Sequence, residues 1–439
     1  MDVEYEQPVA APFDIEVYIS NYSSHTKVDR LLFIAKKCVG TGSELEALKL
    51  AADLVKENQD TTCYSQICAA IAGRLGASYE VDCAWVERVD ARAAARQEEL
   101  EQHLHGFKTN LIKESIRMGY NDLGNFFYER GMLQESFKNY LKTRDYCTTP
   151  THVIHMCLSV MKVSLEMGGY SHLGTYLRKA EQLPEDGKDK IVDAKLNCLA
   201  GLKELEAKKY KYAARKFVQV DAELGTRYND VIAPQDVATY GGLCAMASFD
   251  RKELKAKVVD NIGFREFLEL VPEVRECIYD FYKSQYASCL ANLARMKSSL
   301  ALDLFLHSHV EDLYKHIRQK ALIQYTAPFS SVNLTPMAEA FSVCISDLEK
   351  ELAALIMENQ IKARIDSHKK ILYAQHANIR KGTFGRALNV SEQYIRETKA
   401  LLLRSSLMKH ELMQKQSYGV GKRGHGNAGH QAGASAPHV

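Results

Sequence analysis

An all-α-dominated chain, in which an α-solenoid of helical repeats runs into a winged-helix module with one small β-hairpin and a last long helix, is the fold class this sequence predicts. Three observations carry it. Short breaks in the helical pattern return at near-constant spacing through the middle of the chain. Between Val310 and Ala374 the apolar period changes from helical to alternating. A final amphipathic stretch then presents two adjacent apolar columns.

The breaks are Arg130-Gly131-Met132, Gly168-Gly169-Tyr170, Lys208-Lys209-Tyr210, Ala247-Ser248-Phe249 and Ser284-Gln285-Tyr286, each closing on Met or an aromatic residue. Successive closing residues, from Met132 onward, are 38, 40, 39 and 37 apart. Pro150, Pro184, Pro234 and Pro272 fall once in each interval, where one helix pair would end and the next begin. A period near 40 with a helix on either side of the break describes a solenoid. In the first unit, Leu123, Gly124, Phe127, Gly131, Phe137 and Tyr140 resemble a tetratricopeptide helix pair, in which Gly124 lets two helices approach and the aromatics fill the gap. The other units are read as lacking that glycine, and an irregular helical bundle is the competing reading.

The division expected along the chain is a flexible N-terminus (1–12), an N-terminal helical region (13–106), the repeats (107–300), the winged helix (301–376), a last helix (383–416) and a disordered tail (417–439). In the helical region Val28, Leu31, Leu32 and Ala35 form one apolar face, and Leu45, Leu48, Ala52 and Val55 another. Asp82 to Leu104, rich in Ala, Arg, Glu and Gln, reads as a long and largely solvated helix.

In the winged helix, Val310, Leu313, Tyr314, Ile317, Ala321 and Leu322 mark a first helix that stops before Pro328. Thr335-Pro336 is read as the start of a second, with Thr335 as N-cap and Met337, Ala340, Phe341, Cys344 and Ile345 on its apolar face. Ser346-Asp347-Leu348-Glu349 is read as a capping box opening a third, whose stripe is Leu348, Leu352, Leu355 and Ile356. Ile361, Ala363 and Ile365 then alternate, Asp366 to Lys369 turns the chain, and Ile371 to Ala374 returns as an outer strand. Ile371 and Tyr373 on that strand are candidate interface residues, because an open edge can take a neighbour's strand. On the last helix Leu388, Ile395 and Leu402 lie seven apart, and Tyr394, Leu401 and Met408, extended by Leu412, form the adjoining column. No later segment is available to cover so broad a face, so these residues are candidates for subunit contact.

Composition sets bounds. Of 439 residues, 46% are hydrophobic and 26% charged, and the net charge is +2, which argues against nucleic-acid binding by the chain as a whole. Lys362 to Arg423 carries 14 Lys/Arg against 4 Asp/Glu, a local +10 that leaves −8 for the rest. Eleven cysteines, without a C-x-x-C pair and mostly within apolar stretches, read as buried thiols of a reducing compartment. No apolar run approaches the ~20 residues of a membrane span, and a soluble protein of cytoplasm and nucleus is expected.

Catalytic patterns fail on inspection. His307-Ser308-His309 has the ligand pair of a deubiquitinase-type zinc site, but Val310 follows where Pro is needed, and Arg318 and Ala321 stand at the expected Ser and Asp positions. Gly419-Val420-Gly421-Lys422 lacks the Ser or Thr of a phosphate loop, since Arg423 occupies that position. No catalytic residue, cofactor or metal site is expected. A DNA-reading winged helix is weakened by the third helix, which offers Asp347, Glu349, Glu351 and Glu358 against Lys350 alone.

Helical repeats, a winged helix and a lone last helix together resemble the PCI family, whose members build the proteasome regulatory lid, the signalosome and a translation initiation factor. The strings Arg30 to Ala35, Thr109 to Asp122, Lys142 to Cys147, Val231 to Asp236, Tyr240 to Cys244 and Lys320 to Tyr325 resemble the signalosome branch. A proteasome-lid subunit is the rival within the family. The resemblance implies a non-catalytic scaffold in a complex that removes the Nedd modifier from cullins of cullin-RING ubiquitin ligases, and in plants represses photomorphogenesis. It further implies that the zinc protease lies on another subunit, that winged helices join side by side, and that last helices of all subunits gather in one bundle.

Overall fold

The computed structural model describes residues 14–76, 79–183, 189–375 and 379–410. The residues up to Ala374 form one compact unit, and those from Gln375 a second. The expectations for residues 1–12, for Pro184, for the tail at 417–439 and for the Gly419–Lys422 motif lie outside the described residues.

Five helices open the first unit: α1 (Ile15–Ser20), α2 (His25–Lys37), α3 (Gly42–Asn58), α4 (Thr61–Ile71) and α5 (Cys83–Thr109). Asp60 caps α4 by accepting from the N–H groups of Thr62 and Cys63, and Asp82 caps α5 by accepting from Trp85. Only Val89 and Leu104 of α5 are buried, as its Ala/Glu/Arg composition suggests.

The repeats follow as α6 (Lys113–Glu129) with α7 (Leu133–Lys142), α8 (Pro150–Glu166) with α9 (Tyr170–Glu181), and α10 (Lys190–Glu206) with α11 (Tyr210–Val218). Next come α12 (Pro234–Ser248), the short α13 (Arg251–Leu254), α14 (Ile262–Glu269), and the pair α15 (Pro272–Tyr282) and α16 (Tyr286–Leu300). Pro150, Pro234 and Pro272 each occupy the first turn of a helix, where a missing N–H costs nothing.

One backbone motif explains why the breaks recur. Gly131, Gly168, Lys208 and Ser284 all take left-handed φ values, of 70°, 70°, 57° and 64°. In each case the N–H of the next residue reaches back five residues: Met132 to Phe127, Gly169 to Ser164, Lys209 to Glu204 and Gln285 to Asp280. This is a Schellman cap, which satisfies the last carbonyls of the first helix and turns the chain into the second. Glycine fills two of the four positions; Lys208 and Ser284 bear the left-handed strain. The fourth break differs. Phe249 is extended, and the helix that follows, α13, is a single turn that runs into a turn of π-helix at Lys255–Val259 before α14.

Close approach of paired helices repeats in the same register. A Cβ on Gly124 would lie 2.5 Å from the Tyr140 ring, and one on Gly201 would lie 2.6 Å from the Phe217 ring. Each glycine sits seven residues before its left-handed cap residue, and each aromatic nine after it. The expectation that only the first unit has such a glycine is therefore corrected: the third unit has Gly201, and Gly242 of α12 serves the contact with Val274 of α15.

Arg30 of α2 is fully buried and joins three distant parts of the chain. Its guanidinium lies 2.9 Å from Asp236 of α12 and 2.7 Å from Asp303, in the segment after α16. Tyr22 donates to both Asp236 oxygens at 2.8 Å, Tyr240 donates to Asp303 at 2.6 Å, and Tyr18 both accepts from Arg30 and donates to Asp303. Burial pushes the Asp236 carboxyl up to about 6 despite Arg30. Burial also acts to raise Asp303, but Arg30 and hydrogen bonds from Tyr240 and the Leu306 N–H outweigh it and hold it below the usual range. The N-terminal helices, read from sequence as a region of their own, are thus fastened to the repeats and to the base of the next module.

Two results are expected. Gly124→Leu and Gly201→Leu should each cost about 1–3 kcal/mol by overpacking, read as a lower Tm; unchanged melting in both would contradict the register. The Asp236 pKa is raised in the fold, so its ionisation takes stability away as pH climbs from about 4 through 6. The Tm of Asp236→Asn relative to the parent should therefore rise with pH across that window, and a fall would refute the assignment.

Candidate functional site: a subunit interface

The winged helix is built from α17 (Val310–Thr326), β1 (Ser331–Asn333), α18 (Leu334–Ala340), α19 (Ile345–Met357), β2 (Ala363–Asp366) and β3 (Ile371–Ala374). Leu313, Ile317, Leu334, Met337, Leu348, Leu352 and Leu372 form its core. It is continuous with the solenoid: the Tyr286 ring that opens α16 stacks on Phe341, centroids 5.5 Å apart. Lys208 and Asp312, 2.7 Å apart, tie the third repeat to α17, and Lys320 donates to the Ser248 carbonyl at the end of α12.

Both helix starts fall two residues earlier than expected. Asn333, not Thr335, caps α18, accepting from the Thr335 N–H at 3.0 Å. Cys344 is the N-cap of α19 and makes no side-chain cap bond, so the Ser346 capping box does not form. Starting the helix at Ile345 puts Ser346 inside its first turn, with its hydroxyl against the Cys344 thiol. The acidic residues of α19 are matched within the module: Glu351 pairs with Arg318 of α17 at 3.0 Å, Glu349 with Lys370 at 2.9 Å and Asp347 with Lys350 at 3.0 Å.

The hairpin turns at Asp366, whose carboxylate accepts from the His368 and Lys369 N–H groups. Ile361 and Ala363 are buried and Ile365 half-buried, in keeping with the alternation. The sheet, however, has three strands in the order β1-β3-β2. Tyr373 pairs with Ser331 on one side and Arg364 on the other. The strand of Ile371 and Tyr373 is therefore central rather than outer, and the open edges belong to β1 and β2. The three residues Ser331–Asn333 are too short a run to show a strand by periodicity. Ile371 is half-buried, whereas the Tyr373 side chain is 42% exposed on the sheet face.

Among the described residues the second unit holds one helix, α20 (Ile379–Lys409), starting four residues before the expected 383 and described to within two turns of the expected end at 416. Its 31 residues span about 46 Å. Leu388, Tyr394, Ile395, Leu401, Leu402 and Met408 are all exposed, Tyr394 to 69%, and Phe384, Val390 and Leu403 with them. Leu412 lies outside the described residues. On the same helix Arg396 lies 3.9 Å from Glu392.

The histidines do not converge. His307 packs on Phe33 and lies 3.1 Å from the Leu304 carbonyl, while the buried His309 sits against Tyr210 and 3.7 Å from Glu206. Burial lowers the His309 pKa, favouring the neutral ring. Among the described residues no cluster of three His, Cys, Asp or Glu could hold a metal, and no helix is long and apolar enough to cross a membrane. Sequence reasoning missed the Arg30 cluster; a lone arginine on the buried face that carries Leu31 and Ile34 was the available signal.

A helical-repeat arm ending in a three-stranded winged helix defines a PCI protein, and the PCI domain family matches residues 286–376. The family described as 26S proteasome subunit RPN7 matches residues 82–257. COP9 signalosome complex subunit 1 of Arabidopsis thaliana is 57% identical over 91% of this chain and 91% of its own length. Subunit 1b of Drosophila melanogaster is 37% identical over 94% and 88%. The 26S proteasome non-ATPase regulatory subunit 6 of Oryza sativa subsp. japonica shares 23% over 78% and 83%. The chain belongs to the family of COP9 signalosome complex subunit 1.

Tyr373→Pro removes a donor from the central strand, so it should lower the Tm of the first unit. Normal melting with lost partner binding would restore the edge reading instead.

Proposed function

We propose that this chain is a scaffold subunit of the signalosome, without catalytic residues of its own, in a complex that removes the Nedd modifier from cullins of cullin-RING ubiquitin ligases. In this reading the zinc protease belongs to another subunit, and in plants the complex represses photomorphogenesis. The chain works in nucleus and cytoplasm and meets other subunits through PCI–PCI contacts and a bundle of last helices. It reaches cullin-RING ligases through the complex. The acidic α19, whose carboxylates already pair with cations of the same module, disfavours a direct grip on nucleic acid.

The observation that carries the reading is the exposed apolar face of α20. Burying a Leu or Ile side chain is worth about 1.5–3 kcal/mol. Three of them could contribute several kcal/mol to association before ordering costs. Replacing Ile395, Leu401 and Leu402 together by Asp should leave the Tm of the isolated chain unchanged and greatly reduce its co-purification with signalosome subunits. A large drop in the isolated chain's Tm would assign the helix to the monomer's own core, and undiminished co-purification would remove its role in assembly.

A further inference from the structure

Beside the Arg30 cluster, a cavity of about 320 Å³ opens between α2, α8 and the segments at 230–231 and 304–305. Its walls are apolar and aromatic, with Leu32, Phe33, Leu165, Tyr170, Leu304 and Phe305 among them. Five ionisable groups also line it: Asp29 and Lys36 of α2, Lys162 and Glu166 of α8, and Asp230. Lys162 is committed to Asp230 at 2.7 Å. Glu166 accepts from the Tyr128 hydroxyl through one oxygen, and its other oxygen is buried without a hydrogen bond.

Three carboxyls face two ammoniums, so the cavity is one cation short when all are ionised. Burial pushes the Glu166 carboxyl up to about 8 and Asp29 up to about 6, the latter in spite of Lys36 and Arg30. A buried carboxyl oxygen without a donor costs free energy that a charged donor would recover. Small apolar pockets with a few convergent polar groups are where ligands bind.

We propose that this cavity receives an arginine side chain from a partner polypeptide, its guanidinium between Glu166 and Asp29 and its stem along Leu32 and Leu304. Charge complementarity selects a cation, and the walls select which one. A planar guanidinium stacks on aromatic faces such as Phe33 and Phe305 and forks to two acceptors, whereas an ammonium is compact and strongly hydrated. The site lies on the first unit and draws no lining residue from its sheet, so it would add a contact independent of the assembly reading above.

The test titrates N-acetyl-arginine amide, N-acetyl-citrulline amide and N-acetyl-lysine amide into the full chain, followed by calorimetry and saturation-transfer NMR. Saturable binding of the arginine probe, at least tenfold weaker for the uncharged citrulline probe, is the expected result. Glu166→Gln and Asp29→Asn should each weaken the arginine probe at least tenfold. Absence of saturable binding at millimolar concentration overturns the proposal, as does equal binding of the citrulline probe, a comparison that needs no variant to fold. Lysine binding as tight as arginine overturns the choice of guanidinium. Tighter binding to an Arg423→Gln chain would show that the chain's own tail competes, and would overturn the partner as source.

Discussion

A single guanidinium, buried among two carboxylates and three tyrosine hydroxyls, is the constraint on which the first unit depends. Taking an arginine and two aspartates out of water costs several kcal/mol per ion, and only good geometry with further hydrogen bonds repays it. Here nearly every group has a partner: Asp303 accepts from Tyr240, Tyr18, Arg30 and two backbone N–H groups, and Asp236 accepts from Tyr22 and Arg30. The Tyr22 ring lies 4.0 Å from the guanidinium carbon. Such a cluster contributes little net stability compared with a packed apolar core. Its effect is specificity, since α2, α12 and the segment before α17 must meet in one arrangement for any of these charges to be tolerated.

That arrangement stiffens the first unit. The Schellman caps fix the angle within each helix pair, the Gly124–Tyr140 and Gly201–Phe217 contacts fix the distance, and Arg30 closes the N-terminal helices back onto the far end of the repeats. The winged helix inherits this through Tyr286 and Lys208. A rigid arm suits the proposed scaffold role, because little ordering entropy is then left to lose at the interface.

What was legible in the sequence was periodic. The repeats, the prolines at helix starts and the alternation of Ile361, Ala363 and Ile365 could be read because a helix and a strand impose their period on apolar residues. The apolar columns of α20 were read the same way. What was not legible depended on contacts between residues far apart in sequence. Arg30 pairs across 206 and 273 positions, which no local pattern shows. Strand β1 is three residues long, and its pairing makes β3 central, so the edge inferred for Tyr373 belonged elsewhere. Gly201 was overlooked because it lies in an alanine- and leucine-rich helix where a small residue draws no notice, although its spacing from the cap at Lys208 repeats that of Gly124 from Gly131.

The claim that Arg30 makes the first unit one cooperative body is tested most directly by native-state hydrogen exchange on the full chain and its Arg30→Met variant. In the parent, the slowest amides of α2 and α17 should open at the same free energy, as members of one unit. In the variant, with Asp236 and Asp303 left buried without their cation, α2 should open at a free energy about 3–5 kcal/mol lower, and α17 should be less affected. If α2 already opened independently of α17 in the parent, or if Arg30→Met left its protection unchanged, the account would be contradicted.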